Sequence, residues 1–235
     1  MKLQDTPLLT ADSKNGFDIS RRTMLKGSAL IGAGLLAGCG PAARKEALKP
    51  LTLQDYKSMY AAMPDEEFPL PAINLNLVDS KYLRRTVEYD TDEKVGTLIV
   101  DTKHFYVYLV ERYGLARRYG VGLGRAGFEW AGRAYVGRKA EWPIWVPPEE
   151  MIARKPSLER YSFDNGGMDP GLKNPLGSRA IYIYQDRVDT LYRLHGTPDV
   201  RSIGRAVSSG CVRMMNQDII DLYDRVKRRA PIVVI

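Results

Sequence analysis

The rhythm of apolar and polar positions changes along the chain. A short apolar stretch, Ala29 to Gly38, follows Ser20-Arg21-Arg22-Thr23-Met24-Leu25-Lys26. From residue 40 the pattern loosens. Gly40-Pro41-Ala42-Ala43-Arg44-Lys45 reads as a linker, and Leu51 to Met63 predicts a turn or two of helix. Pro64, Pro69 and Pro71 then break regular structure. From about Lys94 the chain turns β-rich. Thr97 to Asp101, His104 to Val110, Arg117 to Val121, Ala180 to Tyr184 and Leu191 to His195 each predict a strand, and Pro231 to Ile235 predicts a buried final one. Between them, Trp142 to Pro175 is irregular and carries six prolines. That is long for a passive connection and reads as a lid or substrate wall, although its aromatics Trp142, Trp145, Tyr161 and Phe163 also suit a cover over the sheet.

One helix is expected near the end. Asn216 suits an N-cap, Asp218 and Asp221 favour the positive N-terminus, and Lys227, Arg228 and Arg229 the C-terminus. Ile219, Leu222, Tyr223 and Val226 recur at helical spacing and predict its buried face. Several strands with few helices imply a mostly-β or α+β domain over residues 94–235. It follows a tether with a short helix at 39–93 and a leader at 1–38.

Composition narrows the class. The chain has 235 residues, 44% of them hydrophobic and 27% charged, which excludes a disordered chain. The net charge of +7 is scattered and lacks interleaved aromatics, so nucleic acid is not an expected partner. No apolar run reaches the ~18 to 20 residues of a membrane-spanning helix. The leader instead has the form of a twin-arginine export signal. As an amphipathic helix it would fare poorly, because Gly32, Gly34 and Gly38 each cost about 1 kcal/mol relative to Ala.

Two cysteines exclude a disulfide framework. An unpaired thiol is a hazard in an oxidising compartment, so a lone exported cysteine is either buried and inert or kept for its reactivity. Cys211 sits in His195-Gly196-Thr197-Pro198-Asp199-Val200-Arg201-Ser202-Ile203-Gly204-Arg205-Ala206-Val207-Ser208-Ser209-Gly210-Cys211-Val212-Arg213-Met214. A strand ends at His195, and the loop returns to Cys211 with room to set imidazole beside sulfur. A thiolate is the nucleophile, an adjacent imidazolium lowers the thiol pKa, and the same ring can carry protons to and from amines. Backbone N–H groups of Ser208, Ser209, Gly210 and Cys211 offer an oxyanion hole, and the Gly196 carbonyl can orient the ring. Arg213 is placed to bind a substrate carboxylate. Each part also has an inert reading: a packed cysteine, a structural histidine, a surface ion pair. His104 is expected at a hairpin turn, with no role.

The same residues carry a resemblance. His-Gly-Thr, Ser-Ile-Gly-Arg and Ser-Ser-Gly-Cys-Val-Arg-Met, after Gly166-Gly167-Met168 and Asn174-Pro175-Leu176-Gly177-Ser178-Arg179-Ala180, resemble the L,D-transpeptidase catalytic domain of the YkuD family over residues 94–235. The resemblance implies a β-sandwich with a long lid loop and a helix after the catalytic cysteine. Cys211 would be the nucleophile and His195 the acid/base. Gly196, Ser208, Gly210 and Arg213 match further motif positions. Ser209 stands where many members carry a second histidine, and Ala131-Gly132-Arg133-Ala134 where many have Thr-Pro-Thr-Gly.

The resemblance also implies a reaction: acyl transfer on peptidoglycan stem peptides, with no metal or organic cofactor. Cys211 would take the acyl group of a stem tetrapeptide and release its terminal D-Ala. An amine of another stem, or of a wall-attached lipoprotein, would then accept it. The rivals are an L,D-carboxypeptidase or a hydrolase that detaches wall proteins, with water as acceptor, and a non-catalytic peptidoglycan-binding lipoprotein. The intact Cys/His pair argues against the last. Leu36-Ala37-Gly38-Cys39 resembles a lipobox. It implies that Cys39 is acylated and begins a mature chain of 235 − 38 = 197 residues in the periplasm, anchored to a membrane through its lipid.

Overall fold

β-Branched and aromatic runs become strands because their stiff side chains fit a pleated, half-buried surface. The computed structural model describes residues 44, 46–124, 131–208 and 211–235, apart from the side chains of Val207 and Ser208. The export signal, Cys39, Ser209 and Gly210 lie outside the described residues. The expected strands are β2 (Leu98–Asp101), β3 (Tyr106–Val110), β4 (Leu115–Gly120), β7 (Arg179–Gln185), β8 (Val188–Thr197) and β11 (Pro231–Val234). Five more join them: β1 (Arg85–Glu88), β5 (Gly122–Gly124), β6 (Gly132–Glu141), β9 (Ala206–Ser208) and β10 (Val212–Met215).

The strands form one sheet in the order β1-β4-β3-β2-β11-β6-β7-β8-β10-β5-β9. β4 and β5 are a single extended segment interrupted at Val121, yet they lie second and tenth in that order. One segment cannot sit near both ends of an open sheet. The sheet therefore folds over on itself, and its two halves face each other as a sandwich. Leu98, Val107 and Tyr119 from one half share a core with Leu123, Ile181 and Leu194 from the other. Glycines flank the crossover for steric reasons: a Cβ at Gly120 would strike Tyr82, and one at Gly122 the Ser202 carbonyl.

The terminal helix, α3 (Asn216–Arg225), closes the core with Ile219, Leu222 and Val226, while Tyr223 packs half-buried at its edge. Its last carbonyls are bound from the sheet: Lys139 of β6 donates to the carbonyls of Tyr223 and Val226. The expected N-cap is different. Met215 takes the cap position with no side-chain cap bond, and Asn216 is the first helical residue. Its amide oxygen instead accepts from the Ser178 N–H at 3.0 Å and the Ser178 hydroxyl at 3.2 Å.

The segment expected as a tether over 39–93 makes extensive contacts with the rest of the chain. The segment from Thr52 to Arg84 is bound to the sheet and to the terminal helix. Thr52 and Asp55 close a capping box on α1 (Leu53–Met59). Glu66 takes both guanidinium nitrogens of Arg179 at 2.8 Å and the Trp142 indole N–H at 2.9 Å. Gln217 donates to the carbonyls of Ala61 and Pro71. The contacts are mostly polar and the apolar anchors Tyr60, Leu70, Val78 and Leu83 have no period, so nothing in the sequence pattern announces them.

The segment from Trp142 to Pro175 holds only α2 (Glu149–Arg154) and a 3₁₀ stretch, Pro156–Tyr161. Trp145 and Met168 exchange backbone hydrogen bonds at its base. The Asn174 amide donates to the carbonyls of Pro143, Met168 and Asp169. Its aromatics divide: Trp142 is buried against Leu70 and Ile220, while Phe163 is 83% exposed.

Candidate active site

β7 and β8 are joined at Asp186-Arg187, both with positive φ, the geometry of a two-residue hairpin that follows the strand twist. The pairing then slips between Tyr182 and Tyr184, and Leu191 adopts φ 62°. This bulge turns the Leu191 carbonyl out of the ladder. It accepts from the Arg193 guanidinium at 2.7 Å and lies 4.0 Å from the Cys211 sulfur.

β8 and β10 run parallel, with Leu194 opposite Val212 and His195 opposite Arg213. Leu194 and Val212 point into the core. Strand side chains alternate, so Arg193, His195, Cys211 and Arg213 share the other face. Strand spacing and rise put the Cα atoms of Cys211 and His195 about 8 Å apart on the diagonal. The expected nucleophile and base are thus brought onto one face. Among the described residues, however, the sulfur makes its hydrogen-bond contact with Leu191 and not with the imidazole.

His195 is 4% exposed, and its Nδ1 lies 2.6 Å from the Gly196 carbonyl oxygen. That acceptor holds the proton on Nδ1 and leaves the lone pair on Nε2. Burial drives the ring pKa down to about 4; Arg213 and Arg193 push the same way, and the Gly196 and Pro175 carbonyls only partly offset them. Asn216 backs this arrangement. A Cβ on Gly196 or Gly177 would strike the Asn216 amide oxygen, which is tied to Ser178. The first residue of α3 therefore fixes the turn behind His195.

Burial pushes the half-buried Cys211 thiol above its ordinary value, while the Arg193 guanidinium and backbone N–H, and more weakly Arg213, pull it back. Burial thus works against both members of the expected imidazolium–thiolate pair in the resting state. At neutral pH the resting ring is uncharged and the sulfur protonated, so the ring is free to act as a base. The cations on this face are arginines.

Three of the residues that build the face were missed in the sequence. Arg138 of β6 pairs with Tyr182 of β7, which pairs with Arg193. The Arg138 and Arg193 guanidiniums lie 4.4 and 4.9 Å from the Tyr182 ring centroid, so two cations pack against one tyrosine. A signal for Arg193 was present: it lies two residues before His195 in an expected strand. Of the proposed oxyanion donors, Ser208 has its backbone in β9 while its side chain is not described, and Ser209 and Gly210 lie outside the described residues. Ala131-Gly132-Arg133-Ala134 opens β6, with Arg133 paired to Glu93. His104 is an exposed turn residue bonded to Asp101. Among the described residues no cluster of three or more His, Cys, Asp or Glu side chains is placed to hold a metal ion.

Residues 96–234 match the model of the L,D-transpeptidase catalytic domain, YkuD. The chain is 32% identical over 181 residues to the probable L,D-transpeptidase ErfK/SrfK of Escherichia coli, a match covering 74% of this chain and 53% of that one. It is 58% identical over 81 residues to the putative L,D-transpeptidase YkuD of Bacillus subtilis, covering 34% of this chain and 44% of that one. The chain spans about half the length of the curated relatives it matches. Among solved structures, one from Brucella melitensis, described as a probable carnitine operon oxidoreductase, is 45% identical with a TM-score of 0.47, covering 66% of this chain and 94% of that one. An L,D-transpeptidase from Mycobacterium smegmatis is 20% identical with a TM-score of 0.41, covering 59% and 58%.

Proposed function

Because this chain belongs to the L,D-transpeptidase (YkuD) catalytic-domain family, we propose that it is a cysteine acyltransferase acting on peptidoglycan stem peptides. The observation that carries the reading is the parallel register of β8 and β10, which sets Cys211 and His195 on one outward face. A substrate carbonyl enters beside the sulfur, and Sγ swings from the Leu191 carbonyl toward Nε2. The Nε2 lone pair takes the thiol proton as sulfur bonds to the carbonyl carbon of the third stem residue. The tetrahedral intermediate then collapses. His195 returns the proton to the departing nitrogen, D-Ala leaves, and a thioester remains. An amine acceptor reverses the sequence, its proton passing through His195 as its nitrogen takes the acyl group and sulfur is released.

Burial keeps the free ring uncharged. The free ring is a neutral base at working pH, and the imidazolium formed in the step is a strong acid toward the leaving amine.

Export by the twin-arginine route, acylation at Cys39 and residence in the periplasm on a lipid anchor belong to the same proposal, carried by Arg21-Arg22 and Leu36-Ala37-Gly38-Cys39. The acceptor is an amine of a second stem or of a wall-attached lipoprotein. The test is mass spectrometry of the protein with disaccharide-tetrapeptide. A thioester adduct on Cys211 and release of D-Ala are expected, with cross-linked dimer as product. Trimmed tripeptide alone would make water the acceptor, and an unchanged substrate would overturn the reading. Replacing Arg21-Arg22 by Lys-Lys should block export, and Cys39→Ala should remove lipid labelling.

A further inference from the structure

A neutral imidazole becomes a cation only as it takes the thiol proton, and a ring with a pKa of about 4 holds that proton weakly, so a permanent cation beside the sulfur would favour the transfer. The register supplies one. β8 and β10 pair in parallel, and Cys211 immediately precedes β10, so the residue across from it on β8 is Arg193. Both lie on the outward face. Arg193 is also held there. Its guanidinium donates to the Leu191 carbonyl at 2.7 Å, stacks 4.9 Å from the Tyr182 ring centroid and lies 3.9 Å from Asp189. The carbonyl that binds it is the one the resting sulfur faces.

We propose that Arg193 is the electrostatic partner of the Cys211 sulfur, the cation that holds the thiolate once the proton has passed to His195. The proposal rests on the acyltransferase reading for its purpose but not for its test. Arg213, the other nearby cation, is less well placed, since it faces His195 across the ladder. The electrostatics agree: Arg193 is the strongest of the influences that lower the thiol pKa against burial, through both its charge and its N–H groups. The charge balance of the step is complete. The S–H proton goes to Nε2 and the sulfur's negative charge pairs with the guanidinium. As the S–C bond forms, that charge passes to the carbonyl oxygen. On collapse the C–N bond breaks and the imidazolium gives its proton to the departing nitrogen, Arg193 keeping its own charge throughout. Tyr182 serves as a platform for the guanidinium, with Arg138 lying 4.4 Å from the same ring centroid.

Among the described residues, the charged and titratable groups facing the sulfur are Arg193 and His195 from β8 and Arg213 from β10. Tyr182 and Arg138 lie one and two strands further out, and Asp189 sits at the start of β8. The test is the pH dependence of alkylation by iodoacetamide on the full chain, without peptidoglycan. It is read by mass spectrometry on the Cys211 peptide, so that Cys39 does not contribute. Arg193→Gln should move the profile up by about one pH unit, making alkylation about tenfold slower below the midpoint. Arg193→Lys, which keeps the charge, should restore most of it, and Arg213→Gln should shift it less than Arg193→Gln. If Arg193→Gln does not fold, Tyr182→Leu decides: with the platform gone, the profile should rise in the same direction. Profiles that superimpose on wild type in folded protein would overturn the proposal. Failure of the acyltransferase reading would show elsewhere, in unreleased D-Ala, and would leave the thiol profile untouched.

Discussion

Two regions of this protein bury charge, and they use it in opposite ways. One is the cysteine face, where His195 is buried and neutral and Cys211 is half-buried among arginines. The other lies along α3. Asp218 is fully buried there with a pKa pushed up by burial to about 7, despite Arg84 at 3.6 Å and the Tyr60 hydroxyl at 3.2 Å. Asp221 answers to the same arginine. Burial raises it, but Arg225, Arg84 and the Tyr119 hydroxyl together hold it below its ordinary value. A cleft of about 270 Å³, lined in part by Arg84, Gln217 and Asp221, opens beside this network.

A raised carboxyl pKa and an adjoining cleft are the marks by which active sites are sought. Here they mark a clasp. Tyr60 and Arg84 come from the N-terminal segment, Asp218 and Asp221 from α3, and the network ties one to the other. What distinguishes the cysteine face is a nucleophile and a base on one side of the sheet, with the Nε2 lone pair left to accept a proton. Burial raises the stakes of a polar group; its partners decide whether it holds the fold or stays free to react.

The sharpest break between the regions is in activity. Cys211→Ala should abolish the acyl-enzyme in an intact-mass assay, because no side-chain nucleophile remains at the position. His195→Ala should slow acylation about 10² to 10⁴-fold at pH 7, with partial recovery at higher pH as thiolate forms unaided. Neither should cost the fold more than a small amount, since Cys211 and His195 lie on the face of the sheet away from Leu194 and Val212 of the core. Loss of cooperative unfolding in Cys211→Ala would place the cysteine in the clasp's category after all.

In the second region the order reverses. Asp218→Ala strips Arg84 of a buried partner and should cost about 3 to 5 kcal/mol in urea unfolding, while the pH profile of the surviving enzyme stays unchanged. Tyr60→Phe should cost about 1 to 3 kcal/mol, because its hydroxyl both donates to Asp218 and accepts the Arg84 N–H at 2.7 Å. A change in the Cys211 alkylation profile in either variant would show that the regions are coupled.

How far each region was legible in the sequence depends on its chemistry. His195 and Cys211 lie in one short stretch, and their residue types have few other uses together. Arg193 was within reach of the alternation rule, but the motif drew attention past it. The strands rich in Ile, Val and Tyr were readable. β6 was not, because Gly132, Gly137, Arg133, Arg138 and Lys139 break its apolar rhythm. Gly137 is required there, since a side chain would strike the Tyr184 ring. The clasp could not be read at all: Tyr60 and Asp218 are 158 residues apart, and each alone suits an ordinary surface helix.

α3 spans both regions, which makes its first residue the finer probe. Asn216 backs the His195 turn, and two residues later Asp218 enters the clasp. Asn216→Ala removes the acceptor for Ser178 and should cost about 1 to 3 kcal/mol. It should also lower the acylation rate, because the Gly196 carbonyl that fixes the imidazole loses its support. A variant that loses stability but keeps full rate would confine Asn216 to packing.

The smallest effect tests the comparison most directly, because the two regions should pull stability in opposite directions with pH. Asp218 has an ordinary value of 3.8 and about 7 in the fold, so between these the native state keeps a proton that the unfolded chain has lost. Its contribution is complete below pH 4 and drains away as pH rises toward 7. His195 has an ordinary value of 6.5 and about 4 in the fold, so the unfolded chain binds a proton that the native state refuses. Its contribution is complete above pH 6.5 and is lost as pH falls toward 4. Each can tilt stability by at most about 1.4 kcal/mol per pH unit, and between pH 4 and 6.5 the tilts largely cancel. Single variants should unmask them. His195→Gln removes the rising component, so relative to wild type its stability should fall as pH goes from 4.5 to 6.5. Asp218→Asn keeps a neutral group in the clasp and removes the falling component, so relative to wild type its stability should rise over the same range. Urea unfolding at pH 4.5, 5.5 and 6.5 reads both slopes. Curves that run parallel to wild type in both variants would mean that neither group changes its proton affinity on folding, and the contrast between a reactive face and a structural clasp would lose its electrostatic basis.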